Sequence, residues 1–186
     1  MLKHPFKDYC YNVDDLFGAD KLSTFMNKLR KQSYLYPDDI DPDSYFGDGF
    51  EALIESLIWQ QGRTKKIMIK NYVPVLQDDM GVDGYGYTID GEIATVQCKA
   101  RSNSEKSLTA NTDHISNFVA HSHSKFGGDS KVKHMVLFTT AKDLHRDVAN
   151  DMYSGEVTVL GNQEIRILID NNPMFWETFR DQLICK

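Results

Sequence analysis

The chain has 186 residues, 41% hydrophobic and 26% charged, with a formal net charge of −6; that is the size and balance of one globular domain with its own core. No apolar run approaches the roughly 18–20 residues of a membrane span, and MLKHPFKDYCYNVDD carries charges where a secretion signal would be apolar. Cys10, Cys98 and Cys185 are far apart and form no CxxC pair, which argues against a disulfide framework or a zinc ribbon and predicts a reducing, cytoplasmic setting.

Acids dominate residues 1–50, and a negative total speaks against a nucleic-acid partner. The sign reverses over 99–146, where Lys99, Arg101, Lys106, Lys125, Lys131, Lys133, Lys142 and Arg146 outnumber Glu105, Asp113, Asp129 and Asp143, so a local basic face is compatible with the total. In chain order, LSTFMNKLRKQ (22–32) spaces Leu22, Phe25, Met26 and Leu29 as a helix does. YPDDIDPDSYFGDG (36–49) sets two prolines among acids and reads as a loop, dividing a helical N-terminal extension with its acidic linker (1–47) from the main body (48–186). GFEALIESLIWQQG (49–62) predicts a helix with Asp48 as N-cap, Gly62 as C-cap, an apolar stripe, and Glu51 and Glu55 on the opposite flank.

KKIMIKNYVPV (65–75) reads as a strand, and GYGYTI–DG–EIATVQCKA as a hairpin turning on Asp90-Gly91, a dipeptide suited to two-residue loops. A helix over 107–122, a strand over 134–141, a helix over 142–152, short strands over 157–161 and 164–170 and a helix over 171–183, with Pro173 in its first turn, complete the pattern. Strand and helix alternate after the first hairpin, which predicts an α/β fold with a mixed sheet.

The hairpin carries the chemistry. Alternation places Gln97 and Lys99 on one face with Thr95 and Ile93, and Ala94, Val96 and Cys98 on the other, which suits burial against a helix. The turn brings Asp83 beside the end of the second strand. One carboxylate, one amide oxygen and one ammonium are thereby predicted within a few ångströms, a set that phosphodiester hydrolysis uses: oxygen ligands for a hard cation, a water of lowered pKa and a positive charge beside it. Glu51, Glu55, Asp78 and Asp79 are further carboxylates in reach of the same site.

Phe50-Glu51 in a helix, then Asp79-Met80-Gly81-Val82-Asp83, then Val96-Gln97-Cys98-Lys99, resembles the PD-(D/E)xK nuclease superfamily, and more closely its Mrr-type restriction endonuclease branch. HMVLFTTA resembles that branch's strand with paired threonines, and EIRILID its late hydrophobic strand ending in an acid. The resemblance runs in order over about 48–170 and leaves 1–47 uncovered. It implies a restriction-endonuclease-like core, a mixed central sheet flanked by helices. It implies Asp83 as principal metal ligand, Gln97 in the place of the usual second acid, Lys99 as catalytic lysine, Glu51 as the helix carboxylate and the Cys98 carbonyl as a further ligand, with Mg²⁺ or Mn²⁺ as cofactor. Arg101, Lys106, Lys131 and Lys133 are the expected contacts to the DNA backbone. A homodimer, or a helicase or other restriction-system component, is the protein partner such a core implies.

Other constellations carry less. His114, His121 and His123 match no common zinc spacing and suit a polar helix end. His145 and Arg146 suit contact with solvent or phosphate. GVDGYG lacks the strand-to-helix context of a nucleotide-binding fingerprint. Phe175, Trp176, Phe179 and Leu183 read as core. Two further classes fit the chain: a nuclease-fold DNA-binding module without activity, and an acidic interaction domain built on the Asp-rich segment 38–48.

Overall fold

The structure is a computed structural model and describes residues 2–18, 20–35, 40–76, 81–101, 108, 112–127, 131–142 and 157–184. Asp78, Asp79 and Lys106 lie outside the described residues, as does the predicted helix beyond Lys142. The elements are α1 (Phe6–Tyr9), α2 (Val13–Leu16), α3 (Leu22–Ser33), α4 (Pro42–Gln61), β1 (Lys70–Pro74), β2 (Gly84–Tyr87), β3 (Ile93–Lys99), α5 (Thr112–Phe126), β4 (Val132–Thr139), β5 (Val157–Leu160), α6 (Asn162–Ile169) and α7 (Pro173–Ile184). No helix among the described residues is long and apolar enough to cross a membrane.

The five described strands form one mixed sheet in the order β1-β2-β3-β4-β5. β1–β2 and β2–β3 pair antiparallel, and β3–β4 and β4–β5 parallel. The parallel step from β3 to β4 is made through α5, as a parallel pair requires a long crossover. One face of the sheet (Ala94, Val96, Cys98, Val136, Phe138, Leu160) shares a core with α4, with α6 and α7, and with Leu2, Phe6, Leu16 and Phe25 of the N-terminal segment. The other face (Met135, Leu137, Val157) packs on Ile115, Phe118 and Val119 of α5. The fold is therefore α/β, with a mixed sheet covered by helices on both faces.

Several expectations are corrected. Residues 42–49 are helical rather than loop, because Pro42 occupies the first turn of α4, where its missing N–H is no loss, and Asp41, not Asp48, caps it by accepting the Ser44 N–H at 2.8 Å. Gly49 then lets α3 and α4 meet, since a Cβ there would lie 2.6 Å from both Leu29 methyls. Glu55 is not on a solvent flank: it is buried. β1 begins at Lys70 rather than at 65, because the chain turns first through Thr64–Ile67 and Met68 is left-handed at φ 54°.

The β2–β3 loop exceeds two residues. Tyr87 pairs with Ile93, and Thr88 Oγ1 takes the Glu92 N–H at 3.2 Å, drawing Glu92 into the loop; Gly91 still supplies the left-handed residue, at φ +88°. α5 starts and ends later than predicted, extended to the point where Phe126 packs on Tyr85. Residues 164–169 lie in α6 and Asp170 caps it, so the segment is not a strand. A strand would put Ile165, Ile167 and Ile169 on one face; here Ile165 and Ile169 are buried one turn apart, Ile167 is exposed, and Arg166 pairs with Asp170 at 2.9 Å.

Candidate active site

Asp83 is fixed by backbone on both sides. Its N–H donates to the Val96 carbonyl at 2.9 Å, and its own carbonyl accepts from the Val75 N–H at 2.9 Å and the Tyr72 hydroxyl at 3.4 Å. Its Oδ2 accepts the Cys98 N–H at 2.5 Å. The β2–β3 register, Gly84 opposite Val96, continues to set Asp83 against Gln97. The carboxylate is therefore held on the edge that β3 exposes where β2 begins.

Gln97 and Lys99 share the α5 face of β3 by alternation. β3 is buried on both faces, not on one: Thr95 is fully buried with its hydroxyl 2.8 Å from that of Ser122 on α5, and Gln97 is only 2% exposed. Gln97 Oε1 has no hydrogen-bond partner among the described residues, and the amide nitrogen lies against Gly81, whose φ of +86° lets the chain pass close. Lys99, half-buried at the strand's end, makes no ion pair among the described residues.

In a strand the N–H and C=O of one residue point to the same side. The Cys98 N–H is aimed at Asp83, so its carbonyl opens toward the same edge. The Lys99 carbonyl, one residue on, turns to β4 and accepts from Thr139 Oγ1 at 2.8 Å and the Thr140 N–H at 3.3 Å. Thr140 Oγ1 takes the Arg101 N–H at 2.6 Å and donates to the Arg101 carbonyl at 3.1 Å. The two threonines clamp the backbone that follows Lys99.

The oxygen donors fit a hard cation. Asp83 supplies charge, the Cys98 carbonyl points the same way, and an amide oxygen buried without a partner is an acceptor awaiting a cation or a proton donor.

Glu51 lies on the other face of the sheet, where α4 covers Cys98. Its Oε2 is 3.3 Å from His4 Nε2. The Phe6 N–H donates to His4 Nδ1 at 3.2 Å, which leaves the ring proton on Nε2 and makes His4 the donor to Glu51. About one turn earlier on the same flank, Asp48 accepts from the Tyr9 hydroxyl. Ligand atoms of His4, Asp48 and Glu51 lie within 4.8 Å of one another, but the His4 tautomer turns a proton, not a lone pair, toward the carboxylates, so the trio reads as a hydrogen-bonded lock.

Cys98 senses the whole set. Burial first, then the Asp83 and Glu51 carboxylates, push its thiol well above the ordinary range, while Lys99 draws it down. The Tyr72 phenol is raised by burial and then by Cys98, Asp83, Glu51 and Glu55.

The expected DNA contacts do not all gather here. Arg101 is exposed at the site end of β3. Lys131 and Lys133 flank Val132, which pairs with Ile93, whereas Lys99 pairs with Thr139; at about 3.3 Å per residue they sit roughly 20 Å or more from Lys99. His4, Asp48 and Tyr72 were not read from the sequence as site neighbours, and no local motif marks His4, which meets Glu51 across 47 positions. A stretch without any acid, Ser56–Gln77, with Arg63, Lys65, Lys66 and Lys70, is the overlooked signal of a second charged surface. No protein-family model matches this chain, and no curated protein matches it.

Proposed function

We propose that the chain is a divalent-metal-dependent endodeoxyribonuclease with a restriction-endonuclease-like core. The observation that carries the reading is Gln97 Oε1, buried and without a partner among the described residues, set against Asp83 and two residues before a lysine that makes no ion pair among them. Burying such an acceptor costs about 1–3 kcal/mol, a cost that a cation site offsets.

Asp83, the Gln97 amide oxygen and the Cys98 carbonyl would hold Mg²⁺ or Mn²⁺. When bound, the ion supplies a water of lowered pKa and positive charge against the phosphate. Lys99 orients the attacking water by hydrogen bonding and offsets charge building on the phosphate oxygens. Thr139 and Thr140 fix the backbone of Lys99 and Arg101, so both cations leave the strand from a defined place. Glu51 acts at one remove: hydrogen-bonded to His4 behind Cys98, it adds negative potential on the far side of the strand.

Cleavage of supercoiled plasmid with Mg²⁺, Mn²⁺ or EDTA, for wild type beside Lys99→Ala, tests this. Metal-dependent nicking that falls at least about 10²-fold in Lys99→Ala is expected, on the scale of a lost transition-state contact. Cutting that persists in Lys99→Ala, or in EDTA, overturns it. Folding is not at issue, since Lys99 is half-exposed.

A further inference from the structure

A second surface lies where α4 ends. α4 stops at Gln61, and the chain returns through a loop held by its own backbone: the Gly62 N–H donates to the Ile58 carbonyl at 2.7 Å, the Ile69 N–H to the Gly62 carbonyl at 2.7 Å and the Met68 N–H to the Thr64 carbonyl at 3.0 Å. Ile67 and Ile69 are buried pegs, and His134 Nε2 lies 2.8 Å from the Ile67 carbonyl. Just before the pegs, Arg63, Lys65 and Lys66 stand exposed. The loop therefore presents its cations from a fixed frame.

None of Arg63, Lys65, Lys66 and Lys70 has an ion pair among the described residues. Arg30, Arg166 and Arg180, by contrast, pair with Asp43, Asp170 and Asp14. Lys70 Nζ instead reaches the Ile89 carbonyl at 2.9 Å, which fixes its position beside the hairpin.

Arg63 and Lys70 line a groove of about 1020 Å³ whose walls include Trp59, Tyr72, Tyr85 and Tyr87, and Lys65 and Lys66 follow Thr64 of its wall along the chain. Trp59 is 62% exposed and Tyr87 40%. Trp59 and Arg63 are four positions apart, on one flank of the helix and its end. Glu55 is the one carboxylate in the described lining. It is 5% exposed, and its oxygens already accept the Lys3 and His4 N–H groups at 2.7 and 2.8 Å. The described lining is thus cationic and aromatic, with its one acid turned inward.

An indole left in water forfeits the burial that makes tryptophan stabilising. Unpaired cations beside exposed rings suit a ligand that offers planar faces and a repeating anion. We infer that this groove binds a single strand of nucleic acid, with bases stacked on Trp59 and Tyr87 and phosphates met by Arg63, Lys65 and Lys66. A duplex hides its base faces, so the aromatic half of the groove selects the unpaired strand. An acidic peptide satisfies the cations and leaves the rings without a partner. The groove abuts the candidate active site through Tyr72, which lines it and also donates to the Asp83 carbonyl. Strand binding nevertheless stands independently of the nuclease reading, because it needs no metal and no bond cleavage.

The test is fluorescence anisotropy of labelled oligothymidylate, oligouridylate and a DNA duplex of equal length, titrated with the full chain in EDTA. EDTA silences metal-dependent cleavage, so a failed groove and a failed nuclease are told apart. Single strands are expected to bind more tightly than the duplex, and the relative affinity of the two oligomers decides between DNA and RNA. Trp59→Ala should weaken binding about 5–100-fold, the worth of one stacked base, and Trp59→Phe should recover most of the loss. The triple variant Arg63→Glu, Lys65→Glu, Lys66→Glu should flatten the salt dependence by about 0.7 per lost phosphate contact. All four side chains are exposed, so folding is unaffected. Absence of binding, binding indifferent to Trp59→Ala, or equal binding of oligoglutamate that survives Trp59→Ala overturns the inference.

Discussion

In the nuclease pattern that the sequence resembles, an acid more commonly stands in the place of Gln97, and the surroundings of Gln97 explain what an acid there would meet. The position is 2% exposed, faces Asp83 across the hairpin register, and makes no hydrogen bond through Oε1 among the described residues. A carboxylate in that place would be a buried charge beside another of the same sign. Gln97→Glu is therefore expected to destabilise the metal-free protein by about 3–5 kcal/mol near neutral pH, the scale of an uncompensated buried charge, and by much less below about pH 4, where the new carboxyl is protonated. Saturating Mn²⁺ should restore most of the loss, because a cation pairs with both carboxylates at once. Urea melts of wild type and variant, each in EDTA and in Mn²⁺, check it. A variant as stable as wild type in EDTA shows that the site tolerates a second charge unaided; a loss that Mn²⁺ leaves untouched removes Gln97 from the ligand set.

At the scale of the element, α4 is tied to the N-terminal segment by acids on one flank. Asp48 accepts from Tyr9, Glu51 from His4, and Glu55 from two backbone N–H groups. Glu55→Ala leaves two N–H donors without an acceptor and is expected to cost about 2–4 kcal/mol, whereas Glu55→Gln, which keeps one acceptor oxygen, costs less. Hydrogen exchange at the Lys3 and His4 amides should accelerate in Glu55→Ala; amides that stay as protected as in wild type would mean the segment is held by Leu2 and Phe6 in the core alone. The apolar stripe of α4 is legible in the sequence because it repeats every three to four residues. Its first two turns are not, because Pro42 reads as a breaker until the Asp41 cap is seen. Asp83, Gln97 and Lys99 are legible together because a hairpin makes them local. Glu55 and His4 are not, since their contact joins positions about fifty apart and leaves no periodic trace. In α6, isoleucines at 165, 167 and 169 mimic a strand, while the Gly161 N–H donating to Glu164, the pairing of Arg166 with Asp170 and the burial of two of the three select the helix.

Across the whole molecule, the described thiols and phenols with resolved shifts are all held neutral by the fold. Burial pushes Cys10 from 9.0 up to about 11, with the Tyr45 hydroxyl and the Asn12 backbone opposing. Tyr9, Tyr72 and Cys98 are raised as well, each first by burial and then by a carboxylate or thiolate nearby. The direction of the effect follows from proton counting. Above about pH 9 the unfolded chain has released the Cys10 proton while the folded chain retains it, so the unfolded state binds fewer protons and stability falls as pH rises. Below pH 9 the contribution is fully present; it is lost as pH climbs through about 11. The formal charge of −6 grows more negative over the same range and adds repulsion of the same sign. Thermal or urea unfolding at about pH 8 and about pH 10 should therefore show a clear loss of stability, with Cys10 contributing on the order of 1 kcal/mol. Cys10→Ala removes that share and leaves the part due to Tyr9, Tyr72 and Cys98, so its fall between the two pH values is expected to be smaller by about that amount. A wild-type stability that is flat to pH 10 contradicts the burial of these groups, and an identical fall in Cys10→Ala assigns the whole effect to Tyr9, Tyr72 and Cys98.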